Sequence, residues 1–184
     1  MKKLFLFTLV LFSVAVNAQT RQSLLKSALV NSTAGDTFLL RDSVLAHIYY
    51  DAESDSMLLA GLKYDGLSQA DADYMRAQLM NYRPHTWTKD SITGAVIVPS
   101  SAVPSAALEP KKSAKAWSKY FETHNKGYYE VSEPVFSRDG MYAVVYVAFE
   151  CGANCGNGGA TLYHFENGEW KPVSNLFSYN KQGK

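Results

Sequence analysis

Apolar and polar positions alternate along this chain in two distinct rhythms, and the change between them divides it. In RQSLLKSALVNSTAGD, Leu24, Leu25, Ala28 and Leu29 recur at helical spacing until Asn31 to Gly35 interrupts them, which predicts a short helix. From Phe38 to Tyr50 no period is clean, and a helix after Asp36 or two strand fragments fit equally well. The stretch LSQADADYMRAQLMNYRP carries the clearest helix. Ser68 stands at its cap with Asp71 at capping-box distance, and Asp71 and Asp73 lie in the first turn, where the helix dipole favours them. Tyr74, Ala77 and Met80, with Met75 and Leu79 beside them, form one broad apolar face, and Pro84 marks the end.

Ala95 to Val98 reads as a short strand, and the Pro/Ser/Ala run from Pro99 to Pro110 as a surface connection. Pro110 suits a helical first turn and Gly127 its stop, with Trp117, Tyr120, Phe121 and His124 on one face. His124 is read as a histidine favoured by the dipole at a helix end rather than as a catalytic base.

The last third changes to a period of two. YYEVSEPVFS, GMYAVVYVAFE, GATLYHFE and EWKPVSNLF read as four strands, joined through Arg138-Asp139-Gly140, the cysteine segment and Glu166-Asn167-Gly168-Glu169. Asn167-Gly168 is a hairpin signal, since both turn positions need positive φ. In the second strand Ala143, Val145, Val147 and Phe149 line one face, and Tyr142, Val144, Tyr146 and Ala148 the other. Both faces are apolar or aromatic, so this strand is expected to be central and covered on both sides. The expected fold class is α+β: helices in the N-terminal two-thirds packed on a C-terminal antiparallel β-meander of about four strands.

The N-terminus, MKKLFLFTLVLFSVAVNAQT, has the grammar of a secretory signal peptide: two lysines, a short apolar run, and Val16-Asn17-Ala18 before an expected mature Gln19. The run is short for a membrane span, no cysteine follows it to take a lipid, and no later stretch is long and apolar enough to cross a bilayer. Residues 1–18 are therefore expected to be a signal peptide and residues 19–184 a single α+β domain, secreted or periplasmic. Cleavage removes Lys2 and Lys3 and no acid, taking the net charge from +1 to −1 and leaving 166 residues. A near-neutral chain of that size has no electrostatic reason to seek nucleic acid or an anionic membrane. Its 12 tyrosines and three tryptophans suit half-buried strand faces.

Cys151 and Cys155 are the only cysteines. In an exported chain they are expected to form a disulfide. Residues four apart on a straight strand lie roughly 13 Å from one another. A disulfide needs Cα atoms within about 7 Å, so the chain must turn between them. Gly152, Asn154 and Gly156 supply residues that tolerate a turn. So small a loop gains about 2 kcal/mol on the chain-entropy account. A phosphate cradle is disfavoured because the glycines lead into a strand, and a haem attachment because no histidine follows the second cysteine. A zinc site would need more ligands. A metal site and exchange-active thiols are weaker alternatives; no metal or cofactor is expected. Asp51, Glu53 and Asp55 alternate like a calcium loop, but Ser56 replaces the turn glycine and Leu62 the closing glutamate, so a solvated acidic turn is expected.

The residues Ser132, Pro134, Val135, Phe136, Ser137, Cys151-Gly152, Cys155-Gly156 and Gly168-Glu169-Trp170 form a pattern over about a third of the chain. It resembles uncharacterised exported bacterial proteins with a Cys-Gly-x-x-Cys-Gly hairpin, a resemblance that implies export and no particular activity. The order of helices ahead of a curved sheet is also similar to nuclear-transport-factor-2-like α+β rolls, at the level of fold alone.

Two functions compete. The first is a non-catalytic binding or interaction module for a small molecule, glycan or protein, suggested by the surplus of Tyr and Trp and by the lack of a recognisable catalytic constellation. The alternative is a secreted hydrolase using carboxylate and histidine chemistry in a cleft beside the sheet, with Glu150, His164 and Glu166 the residues to inspect. His164 and Glu166 share one strand face, and their simplest role is a polar pair at an edge.

Overall fold

Tyr142–Gly152, the strand with two apolar faces, lies inside the sheet and is covered on both sides. The structure is a computed structural model that describes residues 21–29, 37–43, 62, 66–81, 85–104 and 109–182. The expected signal peptide, the Asn31 region, the expected acidic turn at Asp51 to Asp55 and Pro84 lie outside the described residues.

Residues 21–29 are helical (α1). Phe38–Arg41 forms β1, Gln69–Met80 forms α2, and Ala95–Val98 forms β2, which leads into a 3-10 turn at Ser100–Ala102. Pro110–Phe121 forms α3, followed by β3 (Tyr128–Val131), β4 (Val135–Phe136), β5 (Tyr142–Gly152), β6 (Cys155–Glu166) and β7 (Glu169–Gln182). The sheet runs β2-β1-β3-β5-β6-β7, with β4 also on β5. From β3 onward every pairing is antiparallel, giving the expected meander. The N-terminal part contributes more than helices: β1 pairs in parallel with both β2 and β3, so that among the described residues the sheet has seven strands, β1 and β2 lying beyond the meander.

One face holds Leu24, Leu25, Ala28 and Leu29 of α1, packed with Phe38, Leu40, Tyr129, Val131, Ala143 and Val145. The other face is covered twice. Ala72, Met75 and Leu79 of α2 pack on Val144, Tyr146 and Leu162, while Trp117 and Tyr120 of α3 pack on Val98 and Tyr128. Full burial of each Leu or Met side chain contributes about 1.5–3 kcal/mol, so these stripes are what holds the helices down.

Several local expectations hold and others shift. The Ser68 side chain accepts from the Asp71 amide at 3.1 Å and caps α2. Its buried stripe is Ala72, Met75 and Leu79, however, with Tyr74 and Met80 turned to solvent. The segment YYEVSEPVFS is two strands. At the break Ser132 keeps β5 satisfied: its amide donates to the Tyr146 carbonyl and its hydroxyl accepts from the Tyr146 amide at 2.9 Å. Pro134, with no N–H to offer a ladder, explains why the pairing stops there. Asn167 (φ 53°) and Gly168 (φ 85°) take the two positive-φ positions of the last hairpin. α3 ends at Phe121, short of Gly127, and His124 stacks on Tyr120 with ring centroids 4.3 Å apart. Gly127 serves a different purpose. A Cβ there would fall 2.1 Å from the Glu150 carbonyl oxygen, so only glycine lets this segment pass β5.

Cys151 and Cys155 form a disulfide with Cα atoms 5.0 Å apart, at the tip of the β5–β6 hairpin. β6 begins at Cys155 itself, five residues earlier than the expected start near Ala160. Gly156, Gly158 and Gly159 thus lie within a strand, in register with Glu150, Ala148 and Val147. None of the three has positive φ; they are needed for close approach rather than for turning.

Candidate functional site

The glycines of β6 shape both faces of the sheet, and the two faces differ in chemistry. On the face shared by α2 and α3, the register lays down two transverse rows. One runs Tyr128, Glu150, Gly156, Lys181 across four strands; the next runs Glu130, Ala148, Gly158, Tyr179. Arg41 joins the second row from β1, because Leu40 is in register with Tyr129. Arg41 donates to Glu130 at 2.6 Å. Lys181 donates to Glu150 at 2.6 Å and the Tyr179 hydroxyl donates to the other Glu150 oxygen at 2.9 Å.

Lys181 and Glu150 stand on strands that are not neighbours, and they meet over the glycine between them. A Cβ on Gly156 would fall 3.0 Å from Glu150 Oε2, and one on Gly158 would fall 2.9 Å from the Tyr179 ring. Both carboxylates are buried, with 5 % of Glu130 and 7 % of Glu150 exposed. Burial pushes the Glu130 carboxyl above its ordinary value, and the Arg41 hydrogen bond and charge offset part of that rise. Burial likewise holds the hydroxyls of Tyr128, Tyr146 and Tyr179 well above the usual tyrosine range. The two rows are a compensated ionic network in which each acid has its own cation.

The α1 face carries a trough of about 450 Å³, a common size for a small-molecule site. β5 contributes Val145 and Val147, and β6 contributes Asn157, Gly159, Thr161 and Tyr163. β7, an edge of the sheet, contributes Pro172, Asn175, Ser178 and Asn180, and α1 reaches the trough only through Ala28. Strand alternation explains the polar set. Phe177 and Tyr179 pack on the α2 face, so Ser178 and Asn180 must point to the opposite one. Gly159, in register with Val147 and Ser178, makes the middle shallow-walled; a Cβ there would fall 2.4 Å from the Phe177 carbonyl oxygen. From Asn157 to Tyr163 the trough runs along six residues of strand, roughly 20 Å.

Its chemistry is uniform. No Asp, Glu, Lys, Arg or His lines it. Asn157, Asn175, Ser178 and Asn180 are all exposed to solvent. Tyr163 is buried, and burial raises its hydroxyl above the usual range, against a hydrogen bond with Thr161 that lowers it. Tyr179 borders the trough and also holds Glu150, so it connects the two faces.

The sequence-derived residues scatter. Glu150 joins the ionic network. His164 lies eight residues along β6 from Glu150's partner Gly156, roughly 26 Å away, with its ring stacked on Tyr142 at 4.5 Å. Glu166 is exposed and pairs with Lys171 at 3.3 Å. The structure does not bring the three together. Sequence reading missed Glu130 and Arg41, although each is a charge inside an apolar run, Phe38 to Arg41 and Tyr128 to Val131. It also missed Asn157, Asn175, Ser178 and Asn180, whose signal was the alternation of Ser178 and Asn180 with Phe177 and Tyr179. Among the described residues no helix is long and apolar enough to cross a membrane. No protein-family model, curated protein or solved structure matches the chain.

Proposed function

We propose that this chain is a secreted or periplasmic, non-catalytic binding module whose ligand lies in the trough on the α1 face. The observation that carries this reading is the chargeless lining. Amide and hydroxyl side chains line it beside apolar ones, and no Asp, Glu, Lys, Arg or His stands in the lining to activate the Ser178 or Thr161 hydroxyl. Export is supported by the signal-peptide grammar of residues 1–18, by the disulfide at the hairpin tip, and by the resemblance of the Ser132 to Trp170 pattern to exported bacterial proteins.

The hydrolase alternative has one observation in its favour, the buried Glu130 carboxyl held above its ordinary value. Against it stand the cations that neutralise Glu130 and Glu150, and the length of strand between Glu150 and His164. The test is direct. The chain expressed with its leader is recovered from the medium or periplasm, its N-terminus is sequenced, and it is assayed on p-nitrophenyl esters and glycosides. The proposal expects Gln19 at the N-terminus and no turnover. Turnover that Glu150→Gln abolishes would establish the hydrolase, and retention of the leader in the cytoplasm would remove the export reading.

A further inference from the structure

We infer that the ligand of the trough is a neutral carbohydrate, gripped through its hydroxyls by the side chains of Asn157, Asn175 and Asn180. The inference rests on the trough being the ligand site and adds the chemistry of what fills it. Each amide presents one acceptor oxygen and two donor hydrogens side by side. That set matches neighbouring sugar hydroxyls, which also donate and accept. Three such amides rise from two adjacent strands, Asn157 on β6 and Asn175 and Asn180 on β7, with the Ser178 hydroxyl between the last two. Val147 and Pro172 supply apolar surface for the C–H face of a sugar ring.

Other ligand classes fit less well. A phosphate, carboxylate or ammonium group would enter a lining that holds no opposite charge. A peptide binds a sheet best by adding a strand to a free edge. Here the floor strand β6 is already paired on both sides, and a peptide added along the free edge of β7 would lie beside the trough rather than over that floor. An acyl chain would strip water from three amides and return no hydrogen bond, at a cost of about 1–3 kcal/mol for each group.

The experiment follows the asparagine side-chain amide signals of the exported chain by NMR, during titration with maltotriose, cellotriose and triacetylchitotriose, and separately with trialanine, trigalacturonate and octanol. The expected result is saturable movement of the Asn157, Asn175 and Asn180 amides with at least one neutral trisaccharide. Asn175→Ala should weaken that binding about tenfold, the loss of one buried hydrogen-bond pair. Asn154→Ala, at the hairpin tip, should leave it unchanged. If all three trisaccharides leave these amides unmoved up to about 20 mM, a range that covers weak single-site binding, the carbohydrate inference is overturned. Movement of the same amides by trialanine, trigalacturonate or octanol alone would keep the trough and overturn the ligand class. Sugar binding that moves signals elsewhere and leaves the three amides still would overturn the trough as the site.

Discussion

Arg41→Met removes the cation from a buried acid, and its cost should depend on pH in a direction the structure fixes. Glu130 is 5 % exposed and accepts from Arg41 at 2.6 Å. Breaking a buried ion pair by deleting one partner costs about 3–5 kcal/mol. The Arg41 side chain keeps 23 % of its exposure, which places the expectation at the lower end, about 3 kcal/mol at pH 7. The orphaned carboxylate has an escape: it can take a proton. Losing the cation that lowered it pushes still higher a carboxyl that burial has already raised. Between the unfolded value, about 4.3, and the raised folded value, the native state holds a proton that the unfolded chain has released. Stability of the variant therefore rises as pH falls, by about 1.4 kcal/mol per unit, until the unfolded carboxyl also protonates. Urea unfolding followed by tryptophan fluorescence at pH 7, 6 and 5, on parent and variant, measures this. About 3 kcal/mol of destabilisation at pH 7 should become clearly smaller at pH 5. Arg41→Met/Glu130→Leu, which removes both charges, should return to within about 1 kcal/mol of the parent and lose the pH dependence. A destabilisation of under about 1 kcal/mol at pH 7, or one equal at pH 7 and pH 5, would refute the reasoning.

Other expectations test the glycines and the disulfide. Gly127→Ala places a Cβ 2.1 Å from the Glu150 carbonyl oxygen, a backbone atom of the central strand; more than about 3 kcal/mol of stability should be lost in the same urea assay, because neither segment can yield cheaply. Gly156→Ala pushes against Glu150 Oε2 and the Phe149 carbonyl oxygen; it should destabilise the parent clearly more than it destabilises Lys181→Met, since part of its effect is separation of that ion pair. Cys151→Ser/Cys155→Ser should lower stability by about 2 kcal/mol without changing the fold, read as a lower urea midpoint and an unchanged circular-dichroism spectrum.

The sequence made local features visible and hid non-local ones. β5 announced its central place because both its faces are apolar, and the last hairpin announced itself because Asn167-Gly168 suits positive φ at both positions. The disulfide followed from two cysteines, their spacing and the expectation of export. β1 was ambiguous because only four residues, Phe38–Arg41, carry it, and its partners lie at Ala95 and Tyr129. Parallel pairings at such separations leave no period in a local window. Gly156, Gly158 and Gly159 read as loop because glycine weakens strands in general. Their reason for being in one lies in three dimensions: Lys181 and Tyr179 cross over two of them to reach Glu150, and the Phe177 carbonyl crowds the third. Glu130 passed as an ordinary polar strand position because Arg41, which makes its burial tolerable, lies far away in the chain. The trough could not be read from any one segment, since β5, β6, β7 and α1 each supply only a few of its residues.

The account depends on a ligand site without charge, and its most direct test is how affinity responds to pH and salt. Isothermal titration of the protein with whichever neutral trisaccharide moves the Asn157, Asn175 and Asn180 amides should give one dissociation constant across pH 5 to 8, and from low salt to about 1 M sodium chloride, where charge interactions are screened within about 3 Å. A constant that changes tenfold over either range would place an ionised group in the site and contradict the neutral trough.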